Sequence, residues 1–130
     1  MQATLLVFLG AGIGGALRHG VNVGCGCARA CGTAFPWGTL TVNVVGSLAM
    51  GLIAGWLAFK AEAGWSQPVR LFLTTGILGG FTTFSAFSLD AVMVWERGQF
   101  GLSLAYVAAS MLLSIAGLVA GLALIRSLTA

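Results

Sequence analysis

The sequence predicts an all-α integral membrane protein of four transmembrane helices, and three observations carry the prediction. Of its 130 residues 58% are hydrophobic and 7% charged, with a mean hydropathy of +1.01. That leaves too few polar groups to cover a soluble domain of this size. Residues 1–17, 30–59, 71–89 and 98–125 contain no Asp, Glu, Lys or Arg, and a spanning helix needs about 20 mostly apolar residues. The period-two alternation of a membrane barrel strand is missing from the sequence.

The spans are expected at residues 3–23, 38–59, 70–95 and 102–126. No Lys or Arg precedes the first apolar stretch, so it reads as a retained span and not as a signal peptide. Pro36 and Pro68 stand just before the second and third spans, where proline suits a helix start. The third contains GGFTTFSAFSLD at residues 79–90. Its paired glycines weaken the helix, and the hydroxyls that follow can satisfy freed backbone groups, so this helix is expected to be broken near its middle. Non-helical backbone at that depth is tolerated only where protein or a water-filled cavity covers it, which makes the break a candidate ion site. Connections around residues 24–37 and 60–69 are short, and residues 1–130 form a single domain.

Four spans place Lys60, Arg70 and Arg126 on one side of the membrane and Arg18, Arg29 and Arg97 on the other. Orientation normally follows an excess of Lys and Arg on the cytoplasmic side, and here the excess is zero. Two readings stand. Either the bias rests on one misassigned residue, or both orientations are inserted and pair as a dual-topology antiparallel homodimer. The net charge of +3 belongs to these interfacial cations and not to a nucleic-acid surface, because no basic cluster exists.

Each span carries glycines four apart: Gly10 and Gly14, Gly51 and Gly55, Gly76 and Gly80, Gly117 and Gly121. Such pairs allow close backbone approach in lipid, where packing and hydrogen bonds drive helix association. Polar residues also form rows. Thr39, Asn43 and Ser47 share a face of the second span, and Tyr106, Ser110 and Ser114 share a face of the fourth, the row ending at Leu118. Both rows consist of neutral hydrogen-bond donors. They are open to two readings: helix-to-helix glue and back-bonding, or a track that replaces the water around a small anion without a buried cation to trap it.

GGFTTFSAFS with its following acid, GTLTVN at residues 38–43 and GALR at 15–18 together resemble the small fluoride channels of the Fluc family, also called CrcB. The resemblance covers the whole chain. It implies a dual-topology homodimer in the cytoplasmic (cell inner) membrane that passively exports fluoride through two pores along the dimer interface. By resemblance, Phe84 and Phe87 turn positive ring edges to the ion, Asn43 donates its amide, and Tyr106, Ser110 and Ser114 form the polar track. The resemblance further implies a central structural sodium, Na+, held by the backbone carbonyls of Gly79 and Thr82 from both subunits. Arg18 matches the family's first-helix arginine, either snorkelling to the interface or drawing anions to a vestibule. Two departures from the family pattern are Ala86, where Thr is usual, and Asp90, where Glu is common.

The alternative is a small dual-topology drug or cation exporter. It lacks its expected support, since no acidic residue lies deep in the first, second or fourth span. A purely structural subunit would leave the rows and the break unexplained. No nucleophile with its base, phosphate loop or metal cluster points to an enzyme; Cys25, Cys27 and Cys31 with a single His19 fall short of the four ligands usual for structural zinc. Trp37, Trp65 and Trp95 read as interface anchors.

Overall fold

In the computed structural model, residues 1–29, 35–59 and 66–129 are described. The expectations for Cys31, Lys60 and Trp65, and for the side chains of Cys27 and Arg29, lie outside the described residues. The first two crossings are α1 (Gln2–Arg29) and α2 (Trp37–Phe59). The third is composite: α3 (Ser66–Arg70), a π-helical segment (Leu71–Leu78), α4 (Gly79–Phe81) and α5 (Phe84–Glu96). The last is α6 (Phe100–Thr129). Among the described residues four stretches are long and apolar enough to cross a membrane: Gln2–Cys25, Trp37–Ala58, Gln67–Glu96 and Phe100–Leu128. Pro36 stands directly before α2, whereas Pro68 lies inside the first turn of α3, where its missing N–H costs no helical bond.

The third crossing is interrupted, but not at its glycines. Gly79 has ordinary helical angles of φ −63° and ψ −36°. The chain leaves the helix at Thr82, with ψ 156°, and Thr83, with φ −153° and ψ 118°, and re-enters it at Phe84. Thr82 N–H still closes a turn on the Leu78 carbonyl at 2.9 Å. Thr83 N–H does not continue the ladder; it donates to Asn43 Oδ1 of α2 at 3.0 Å, while Asn43 Nδ2 donates to the Thr83 carbonyl at 3.3 Å. One side-chain amide therefore replaces the backbone bonds that the extended residues forfeit, as burial in a membrane demands.

The glycines instead set helix spacing. α1 lies against the π-helical segment and α4, and α2 lies against α6. A Cβ on Gly10 would stand 2.8 Å from Gly76 Cα, one on Gly80 2.8 Å from Ala11 Cα, and one on Gly14 would overlap the Ile77 carbonyl oxygen. Across the other interface, a Cβ on Gly51 would overlap the Leu118 carbonyl oxygen and one on Gly121 would lie 2.6 Å from that of Leu48. Only Gly117 is looser among these, its nearest backbone contact being 3.4 Å from Val44 O. α5 completes the bundle by packing on α6, where Phe87, Tyr106 and Leu40 form a small buried core.

Gly14→Ala should therefore lower stability by about 1–3 kcal/mol through backbone overlap. Gly12→Ala, whose added methyl meets nothing within 4 Å, should stay within about 0.5 kcal/mol of the parent. Unfolding in detergent measures both, and equal effects would show that these helices are not held at backbone contact.

Candidate functional site

Beside the break lies a groove of about 400 Å³, lined from α2 by Asn43 and Ser47, from the break by Thr82 and Thr83, and from α5 by Phe84 and Phe87. Ser110, Ser114 and Leu118 of α6 form its remaining wall. The i, i+4 spacing of the α6 serines puts both on the face that α6 turns towards α2 and α5. Asn43 and Ser47 meet them from α2 for the same reason. Two rows written 67 residues apart thus share one hollow.

The hydroxyls divide by what they bond. Thr74 donates to the Arg70 carbonyl at 2.7 Å, Thr82 to that of Leu78 at 2.8 Å and Ser88 to that of Phe84 at 2.9 Å, each four residues back along its own helix. Ser110 and Ser114 do not back-bond. Their Oγ atoms are buried without a hydrogen-bond partner, and a buried hydroxyl left so costs about 1–3 kcal/mol. Neither serine is seen bonding back to its own helix, and both residues line the groove.

Thr83 supports the opposite wall. Its Oγ1 accepts from Ala86 N–H at 3.2 Å, capping α5, and lies 3.2 Å from Ser85 Oγ. The N-terminus of α5, with the positive end of its dipole, begins at the groove. Phe87 is buried and tilted against Phe84, ring centroids 5.5 Å apart, and against Tyr106 at 5.4 Å. Phe84 is 80% exposed on the single chain.

Other expected residues lie apart from the groove. Tyr106 is fully buried behind Phe87 and meets Phe35 edge-on at 5.6 Å. Thr39, on the same face of α2 as Asn43, donates instead to Asp90 Oδ2 at 2.6 Å. These two residues line a neighbouring hollow of about 230 Å³ with Asn22, Cys25 and Ala86. Arg18 is half-buried on α1 and not among the groove's lining residues. Gly79 is exposed, one turn before the break. No cluster of His, Cys, Asp or Glu suited to a metal ion occurs among the described residues.

Sequence reasoning missed Thr83, which both accepts the Asn43 brace and caps α5. A hydroxyl residue ahead of a helix start was the available signal. It also missed Ser103, buried on α6, whose hydroxyl donates to the Ala91 carbonyl of α5 at 2.8 Å and ties the two helices together.

Comparison with known proteins gives a consistent result. The chain is 58% identical over 125 residues to fluoride-specific ion channel FluC 2 of Nitrobacter hamburgensis, covering 96% of this chain and 98% of the relative. It is 62% identical over 125 residues to fluoride-specific ion channel FluC of Rhodopseudomonas palustris strain BisB5, with 96% and 98% covered. To that of Rhodospirillum centenum it is 52% identical over 130 residues, the full length of both chains. These names describe ion channels and not enzymes. The model of the family "CrcB-like protein, Camphor Resistance (CrcB)" matches residues 5–122; with the relatives, this shows that the chain belongs to the CrcB-like family.

Proposed function

We propose that this chain is a fluoride channel that lets the ion leave the cell passively across the cytoplasmic membrane. The observation that carries the reading is the pair of buried hydroxyls on Ser110 and Ser114, unclaimed by any protein acceptor within this chain, on residues that line a groove without Lys or Arg among its described lining. Fluoride surrenders its water only where other donors replace it. Two serine hydroxyls, the Asn43 N–H not used on Thr83, and the N-terminal amides of α5 supply such donors. Phe84 and Phe87 add ring edges, which carry partial positive charge and exclude water. Because all of these groups are neutral, the ion is held loosely enough to move on.

A second copy in the opposite orientation completes the pore in this reading. The balance of three cations against three supports it, as does the exposure of Phe84 beside a groove much wider than one ion. Two grooves in two copies make two pores. A central sodium fits the same arrangement. Thr83 N–H, which would bond the Gly79 carbonyl in an unbroken helix, is taken by Asn43, and Thr82 turns extended. The Gly79 and Thr82 carbonyls of two copies would hold a hard monovalent cation that braces the pair.

Purified protein in liposomes should release fluoride to an electrode and retain chloride; equal release of both anions would refute the proposal. Ser110→Ala with Ser114→Ala should reduce fluoride flux by about 10-fold or more, the loss of two hydrogen bonds of roughly 1 kcal/mol each, without lowering thermal stability. Reduced stability with unchanged flux would reassign the serines to packing. A single added cysteine at the C-terminus should be labelled from both faces of intact cells, and one-sided labelling would contradict antiparallel pairing.

A further inference from the structure

We propose that the cavity beside Arg70 is an anion-collecting vestibule of the same pathway, an inference that rests on the fluoride-channel reading. The cavity measures about 660 Å³ and lies between the second half of α2 and the start of the third crossing, with Arg70, Gln67, Thr74 and Thr75 on one side and Ala54 and Leu57 of α2 on the other. Met50 lines both this cavity and the groove with Ser110 and Ser114, so the two adjoin at that side chain.

The helical register of α2 orders the hollows along the helix. Thr39 lies in the Asp90 hollow, Asn43 and Ser47 in the groove, Met50 at the junction, and Ala54 and Leu57 in the Arg70 cavity. Steps of three and four residues keep all six near one face of the helix over its whole length. The Arg70 cavity and the groove therefore adjoin along α2, and the Asp90 hollow lies further along the same helix. Their charges differ in sign: a guanidinium at one end, neutral donors between, and the Asp90 carboxyl at the other.

That polarity assigns the Arg70 end the task of gathering anions. A single cation between low-dielectric walls raises the local anion concentration without itself standing in the narrow part of the path. Arg70 is exposed, and Thr74 has spent its proton on the Arg70 carbonyl, so among the described lining residues the guanidinium is the cavity's one cationic attraction. Met50, flexible and uncharged, separates the collecting site from the donor row. In an antiparallel pair, each membrane face receives one Arg70 vestibule, which makes the pair symmetric although each chain is not.

An arginine that only snorkels to the interface would affect folding but not the salt dependence of current. The test is macroscopic fluoride current through the full-length protein in planar bilayers, at ionic strengths of about 0.01 M and about 1 M set with an impermeant salt, where the screening length falls from about 30 Å to about 3 Å. Arg70→Gln should reduce current about 2- to 5-fold at low ionic strength and leave it near the parent value at high. Arg70→Lys should restore it. Gln67→Lys, which adds a cation to the same cavity, should raise low-salt current by a similar factor, and its effect does not depend on how well the Arg70 variants fold. Equal effects at both ionic strengths, or no response to Gln67→Lys, would overturn the vestibule while parent current persists. A parent protein without fluoride current would overturn the channel reading itself.

Discussion

The reciprocal pair of hydrogen bonds between the Asn43 amide and the Thr83 backbone is the constraint on which the rest of the site depends. Extended residues inside a bilayer forfeit helical bonds, and each unsatisfied group there costs several kcal/mol. Asn43 offers an acceptor to Thr83 N–H and a donor to Thr83 O, so the break can exist without that cost. Once the chain is broken there, Thr83 caps α5, α5 starts at mid-membrane, and Phe87 is pressed between Phe84 and Tyr106. Removing the amide would expose the break and displace one wall of the groove together.

Hydrogen-bonding capacity is allocated with economy across the bundle. Thr74, Thr82 and Ser88 use their hydroxyls on their own helices, and Ser103 and Thr39 use theirs to tie helices to one another. Ser110 and Ser114 stand outside this pattern although buried. Glycine at both helix interfaces makes the arrangement possible. Backbones in contact at Gly10 with Gly76 and at Gly51 with Leu118 leave little freedom for the helices to rotate and satisfy those serines elsewhere.

Much of this was legible in the sequence, and the parts that were not share a physical cause. The four crossings follow from apolar length alone, and each polar row from a spacing of four, whereas the meeting of the two rows in one groove appears only once the helices are placed. A break in the third crossing was also readable in GGFTT at residues 79–83, but only half of that stretch opens: the helix runs through Gly79 and Gly80 and leaves its path at Thr82 and Thr83. Local propensity lost to a tertiary partner 40 residues away. Thr39 keeps its face of α2, but its hydroxyl goes to Asp90, a partner that its spacing does not reveal. The glycines, read correctly as packing residues in general, could not be matched to their partners until the helices were placed. The π-helical stretch at Leu71–Leu78 has no periodic signature that would announce it.

In the proposed channel, a groove of neutral donors and ring edges, braced by Asn43 and Thr83, passes fluoride in preference to other halides. The most direct measurement is the reversal potential of the reconstituted protein with fluoride on one side of a bilayer and chloride on the other. The expected potential follows the fluoride gradient and ignores changes in chloride. A potential near zero, or one that moves with chloride, would contradict it.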